Sequence, residues 1–188
     1  DTVTKIIDAR EFFTELCDAN YDYGEPGCIF WDRVESWNLL SGYDNFQYAG
    51  CNPCQEEPLP AGGSCLLGSI NLAEFVTDGH FEFFKFMCAV KIAVKALNDV
   101  LDEGQPLHPL EEQRESVKNW RQIGLGIMGL ADALIKMEIP YGSPRSLEIC
   151  EKISYWMLMA ALDESCRLAQ KDGAFPMCDS RKLLESSF

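Results

Sequence analysis

The sequence has little positive charge: sixteen Lys and Arg stand against thirty Asp and Glu, a formal net charge of −14 over 188 residues. That surplus repels phosphate backbones and anionic lipid at long range, which argues against nucleic acid and membrane surfaces as partners. Long hydrophobic runs are missing too. No stretch reaches the roughly 18 uninterrupted apolar residues of a spanning helix, and Asp1-Thr-Val-Thr-Lys5 has neither the basic nor the apolar region of a secretory leader. A soluble, cytoplasmic protein is expected. Histidine is scarce: His80 and His108 are the only two, and neither has paired spacing. With no second Cys-x-x-Cys beside Cys51-x-x-Cys54, a structural zinc centre of about four ligands is disfavoured. There is no internal repeat and no low-complexity tract.

What is present fits one globular domain. Hydrophobic residues make up 47% of the chain, enough for a real core, so disorder is a poor reading. The nine cysteines (17, 28, 51, 54, 65, 88, 150, 166, 178) are odd in number and irregularly spaced, and several lie inside helical apolar patterns as small hydrophobes. Cytosolic thiols suit them better than a disulfide framework. A start without Met and a finish inside the helical run Ser180 to Phe188 point to residues 1–188 being a single partial domain.

Periodicity organises the chain. Helices are expected over Asp8 to Asn20, stopped by Gly24-Glu-Pro-Gly27, over Phe81 to Leu101 with Phe84, Cys88, Ile92 and Ala96 on one stripe, and over Glu111 to Trp120. Leu125 to Met137 reads as a further apolar helix. Ser143-Pro144 supplies an N-cap and a first-turn proline for a last long helix that Gly173 ends. Cys28 to Val34 is a short apolar element of either type, and Ser64 to Val76 contains a candidate buried strand. Gly42 to Gly63 is loop-like, and chemistry concentrates on loops held by a rigid scaffold.

Within that loop, Asn52-Pro-Cys-Gln-Glu56 is the most informative segment. An extended stretch stiffened by Pro53 would send Asn52, Cys54 and Glu56 to one side, so that an amide, a thiol and a carboxylate face one substrate. The amide can orient hydroxyls, the thiol can do nucleophilic, redox or radical work, and the carboxylate can take a proton. A surface turn with an incidental cysteine is the competing reading on spacing alone. Gly124-Leu-Gly-Ile-Met-Gly129 matches the dinucleotide fingerprint literally, which raises a nucleotide-dependent dehydrogenase as a rival. The polar residues Arg114 to Gln122 stand where that fingerprint needs a buried strand, so a close-packed helix entry suits these glycines better. A non-catalytic helical interaction module with structural cysteines is a second rival.

Asn52-Pro-Cys-x-Glu-Glu-Pro-Leu59 followed by Ser64-Cys-x-Leu-Gly-Ser-Ile-Asn-Leu72 resembles the finger loop and next strand of ribonucleotide reductase large subunits. Gly24-Glu-Pro-Gly27 with Phe30 and Asp32, Ile123 to Asp132, and Lys171-Asp-Gly-Ala-Phe-Pro176 fall in that family's order, so the resemblance covers nearly the whole chain. It implies an α/β fold, a helix-rich fragment of a ten-stranded barrel with a central finger loop at about residues 50–64. It implies that Cys54 carries a thiyl radical that removes the 3′ hydrogen of a ribose, that Glu56 accepts the 3′ hydroxyl proton and that Asn52 holds substrate hydroxyls. Cys65 becomes one of two redox-active cysteines, its partner belonging to an earlier part of the family chain. A carbon-bound hydrogen yields to a radical of comparable bond strength, and a sulfur radical fits if water is kept away. The implied substrate is a ribonucleoside di- or triphosphate, the reductant is thioredoxin-like, and a homodimeric parent is compatible. The Glu-Glu-Pro-Leu-Pro and Ser-Cys-Leu-Leu-Gly-Ser wording is similar to the adenosylcobalamin-dependent branch. No cobalamin ligand can be named in this segment, and the fragment alone is expected to be inactive.

Overall fold

A computed structural model describes residues 4–186. Helix α1 (Ala9–Tyr23) starts where the Asp8 carboxylate accepts hydrogen bonds from the Arg10 and Glu11 amides at 2.8 and 3.0 Å, and it ends on Gly24 in a left-handed conformation. The undecided element after it is helical, α2 (Trp31–Ser36). Strands β1 (Tyr48–Cys51) and β2 (Pro58–Pro60) then form an antiparallel hairpin, so Gly42 to Gly63 is more ordered than its Asn, Gly and Pro content suggests. Strand β3 (Leu67–Asn71) runs into a 3₁₀ turn, Leu72–Phe75, capped by the Asn71 side chain. A short ribbon of β4 (Val76–Thr77) and β5 (His80–Phe81) leads into α3 (Phe83–Gly104), which begins two residues later than expected. Helix α4 (Glu111–Trp120) has the expected bounds. The chain continues through β6 (Gly124–Met128), α5 (Leu130–Lys136), α6 (Pro144–Asp172) and α7 (Ser180–Leu184). Residues 187 and 188, at the end of the expected terminal helical run, lie outside the described residues.

Two expectations are corrected. Leu125 to Met128 is strand, not the start of a helix: β6 pairs in parallel with β3 from Leu67↔Gly124 to Asn71↔Met128, and only Leu130–Lys136 is helical. A short apolar run before a helix carries the same signal whether it is strand or first turn, and here pairing decides. On α3, the stripe of Phe84, Cys88, Ile92 and Ala96 faces outward, Phe84 being 80% and Ile92 69% exposed. The buried stripe is Phe86, Val90, Val94, Leu97 and Leu101. A helix that is apolar around most of its circumference does not reveal by period alone which side its own core will use.

That buried stripe packs α3 across α6 and onto β3, where Leu97 lies over Gly68. Leu72, Phe86, Val90 and Leu134 are the largest fully enclosed side chains, and each such residue contributes about 1.5–3 kcal/mol by leaving water. Lys91 of α3 pairs with Asp163 of α6 at the rim. Arg121, just past α4, reaches back to Asn98 and Asp102 on α3 at 2.7 and 2.6 Å, fixing the approach to β6. The class is α/β. Among the described residues the sheets are three pairs, β1–β2, β3–β6 and β4–β5, and they form no closed barrel. No helix among them is long and apolar enough to cross a membrane.

Candidate active site

The β1–β2 hairpin is rooted in aromatic rings. Phe46 stacks edge-on against Tyr48 and Trp120 at 5.3 and 4.8 Å, and Tyr43 meets Trp120 at 5.9 Å. Tyr43 is tied to the far end of the chain, its hydroxyl donating to the Asp179 carbonyl at 3.0 Å and accepting from the Asp179 amide at 2.7 Å. Such ring pairs add about 0.5–1.5 kcal/mol each beyond area burial, so the hairpin is anchored at its base.

Residues 52–57 make that tip, which closes above the Cys51↔Pro58 pair. The expected extended stretch is corrected: the Gln55 amide donates to the Asn52 carbonyl at 2.9 Å and Gln55 has φ 68°, so the chain turns through Pro53 and Cys54. The period-two argument for a shared face therefore fails, although Asn52, Cys54 and Glu56 do lie on one loop outside any helix. Asn52 shapes the turn from inside. Its Oδ1 accepts the Glu57 amide at 3.0 Å and the Cys51 thiol at 3.5 Å, while its Nδ2 donates to nothing among the described residues. The buried amide requires an acceptor, which fixes the amide orientation and points the NH₂ away from the loop. Cys54 and Glu56 are exposed at the tip, and the Gln55 side chain lies against Gly27 in the turn after α1.

Sequence reasoning did not single out Glu57. It is only 8% exposed, and neither carboxylate oxygen has a hydrogen-bond partner. Its side chain lies along β6, where a Cβ on Gly124 would fall 2.9 Å from Oε1 and 2.5 Å from Leu67 Cδ2. Gly124 is therefore a packing glycine, but of a paired strand and not of the expected helix entry. Cys65 approaches the same carboxylate from the lead-in to β3, short of well-formed hydrogen-bond geometry. The thiol is pushed up to about 11, first by the nearby Glu57 carboxylate, then by desolvation and by the charges of Glu56 and Cys51. The acidic groups of the hairpin, Glu57, Glu56 and Cys51, thus all act on Cys65 electrostatically. Glu56 and Glu57 are alike in residue type, and the turn sends one to solvent and the other inward.

All nine cysteines are free, with Cys17, Cys88 and Cys166 exposed on their helices instead of serving as core hydrophobes. No cluster of three His, Cys, Asp or Glu that could hold a metal occurs among the described residues. A cavity of about 290 Å³ opens beside Cys65, lined by Leu66, Val100, Leu101, Val117 and Gln122 among others. Another of about 490 Å³ lies at the hairpin root, lined by Phe46, Tyr48, Pro60 and Trp120. Neither adjoins a glycine turn of the dinucleotide kind: β6 runs through Gly124 and Gly126, and the element before it is a helix, so the fingerprint lacks its strand-then-turn order.

The family model described as "Ribonucleotide reductase, barrel domain" matches residues 1–187. The vitamin B12-dependent ribonucleoside-diphosphate reductase of Thermoplasma acidophilum is 38% identical over 175 residues, covering 93% of this chain and 22% of that protein. A protein of the same name from Mycobacterium tuberculosis is 37% identical over 174 residues, 92% of this chain and 25% of that one. The ribonucleoside-diphosphate reductase large subunit of Variola virus is 34% identical over 175 residues, 90% of this chain and 22% of that one. The chain spans about a quarter of the length of these relatives.

Proposed function

Since the chain belongs to the ribonucleotide reductase barrel-domain family, we propose that it forms the finger-loop section of a reductase that converts ribonucleotides to deoxyribonucleotides, with the β1–β2 hairpin as the finger. The observation that carries this reading is the exposed Cys54 at the tip of a hairpin anchored at its base, with Asn52 and Glu56 two residues to either side. The Cys54 sulfur, as a radical, takes the ribose 3′ hydrogen: the C–H bond breaks, the S–H bond forms, and the unpaired electron passes to carbon. Glu56 draws off the 3′ hydroxyl proton, which eases departure of the 2′ hydroxyl, a general-base contribution of roughly 10²–10⁴-fold. The Asn52 NH₂, unengaged by the loop, donates to substrate hydroxyl oxygens. Cys65 returns reducing equivalents together with a cysteine outside this chain, and a thioredoxin-like dithiol resets the pair. In the same reading β3 and β6 are two of the ten barrel strands, and the substrate is a ribonucleoside diphosphate, as the names of the relatives suggest. A cytoplasmic setting fits it.

Two relatives are named as vitamin B12-dependent, which supports adenosylcobalamin as the parent's radical source. The residues present do not build its site: cavities of about 290 and 490 Å³ are small for a corrinoid, and no His stands at either as a candidate ligand except His108, at the edge of the smaller. The decisive experiment is Cys54→Ser in the full-length protein, assayed for deoxyribonucleotide formation with a complete reducing system. Ser is nearly isosteric, but its O–H bond is too strong for reversible radical formation. Turnover should vanish with substrate binding largely intact, since affinity comes from other groups. Retention of more than a trace of activity would overturn the reading.

A further inference from the structure

We infer that Gln55 is a positioning residue for Cys54: its side chain seats in a notch left by Gly27, and the turn after α1 acts as a strut that holds the tip of the hairpin. The two glycines of Gly24-Glu-Pro-Gly27 serve different ends. Gly24 has φ 71°, and a Cβ on it would meet nothing within 4 Å, so its backbone demands glycine and its surroundings do not. Gly27 is the reverse. Its φ lies outside the left-handed region, yet a Cβ there would fall 2.4 Å from Gln55 Nε2 and 3.3 Å from Gln55 Cδ. The three atoms nearest to that Cβ all belong to Gln55, so the missing side chain makes room for this one residue of the tip.

The strut is tied at both ends. The Gly24 amide donates to the Asn20 carbonyl at 2.9 Å and the Asn20 side-chain amide donates to the Pro26 carbonyl at 3.3 Å, which straps the turn to the end of α1. Beyond Gly27, Trp31 opens α2 and meets Tyr48 of β1 edge-on, with ring centroids 6.2 Å apart. Residues 27–31 therefore run beside the hairpin from its tip to its base. At the tip, Gln55 stands in the left-handed region at φ 68°, where a glycine would sit at no steric cost. What the position gains from glutamine is the side chain. It is half-buried while Cys54 and Glu56 on either side are exposed, and the Gln55 amide closes the turn on the Asn52 carbonyl at 2.9 Å. One residue thus joins the turn that carries Cys54 to the strut. The consequence for turnover rests on the proposed function: the Cys54 sulfur has to meet one ribose hydrogen, and a misplacement of about 1 Å can cost about 10²-fold in rate.

The test is a double-mutant cycle in the full-length protein, with Gln55→Ala, Gly27→Ala and both together, read by steady-state kinetics and by hydrogen exchange at the residue-55 amide. Each single variant should lower kcat by about 10- to 100-fold and leave KM within a few-fold, since affinity comes from other groups. Both changes remove one contact, so the double variant should be no slower than the slower single. Losses that multiply, or a single variant with undiminished kcat, would overturn the proposal. Exchange reads the seat without the chemistry. Gly27→Ala should quicken exchange at residue 55 in the otherwise unsubstituted protein and leave it unchanged in the Gln55→Ala background; an equal effect in both, or none in either, counts against the seat. If Gly27→Ala does not fold, kcat of Gln55→Ala still decides. Should Cys54→Ser keep its activity while the exchange cycle behaves as expected, the radical reading falls and the seat stands.

Discussion

Replacing Asn52 by Asp and by Ala separates the two jobs the structure gives one amide. Its Oδ1 holds the Glu57 amide at 3.0 Å, and its NH₂ is left for substrate. Ala removes both functions. The Glu57 amide lies in a buried residue and would lose its acceptor, a cost of about 1–3 kcal/mol for an unsatisfied buried donor. At about 1.4 kcal/mol per factor of ten, hydrogen exchange at that one amide should quicken by roughly 10- to 100-fold if local opening controls it. Asp keeps an oxygen in place, so protection at Glu57 should stay within a few-fold of the original, whereas the donors to substrate are gone. Exchange resolved to single amides, read beside kcat and KM of the full-length variants, gives the comparison. The expected pattern is Asp with an intact loop and poor turnover, and Ala with neither. Unchanged exchange at Glu57 in Asn52→Ala would show that the Oδ1 contact does not shape the loop, and the argument that frees the NH₂ would go with it.

Glu56→Gln should lower turnover severely, by the roughly 10²–10⁴-fold of a lost general base, without preventing radical formation at Cys54, which electron paramagnetic resonance can follow. Gly129→Ala should destabilise by about 2–3 kcal/mol: φ there is 71°, a Cβ would fall 2.1 Å from Asn71 Oδ1, and that oxygen caps the 3₁₀ turn through the Ala73 amide at 3.2 Å. Thermal unfolding should register this as a loss of about 4–12 °C. Arg167→Met should cost about 1–3 kcal/mol at neutral pH, because Glu164 is buried and its partner is the Arg167 fork at 2.8 and 2.5 Å. Hydrogen bonding to Arg167 holds the Glu164 carboxyl below its usual range, so this stabilisation is complete above about pH 4.3 and is lost as pH falls through the lowered folded value. Urea midpoints of the two proteins should therefore converge on acidification, and a gap that does not narrow at all as pH is taken well below about 4.3 would contradict the assignment.

Helices with chemical punctuation were legible from sequence. Ser143-Pro144 and Gly173 bracket α6, and Asp8 with Gly24 brackets α1, because caps act through their own backbone and need no tertiary partner. β6 was not legible, since its identity as strand depends on β3, more than fifty residues earlier in the chain. The outward stripe of α3 was misassigned because Phe84 and Ile92 are as apolar as Phe86 and Val90, and hydropathy does not record which neighbour a helix has. Asn52, Cys54, Glu56 and Cys65 could be picked out by residue type and resemblance. Glu57 could not, because its distinction from Glu56 is a direction in space that follows from the left-handed Gln55 and the bare backbone of Gly124.

The parallel pairing of β3 with β6 bears on assembly as much as on architecture. Five consecutive residue pairs without a slip, Leu67↔Gly124 to Asn71↔Met128, set a phase for main-chain donors and acceptors along both strands, and the outer edge of each has no strand beside it among the described residues. Parallel strands occur almost entirely within larger sheets covered on both faces. An open edge of this kind is adhesive, and it accepts an incoming backbone only in steps of two residues if the alternation of side chains is to be respected. The pair therefore acts as a ruler: a strand that docks against either edge inherits its register from residues 67–71 and 124–128. A wrong-phase neighbour would have its side chains turned to the opposite faces from those the ladder dictates.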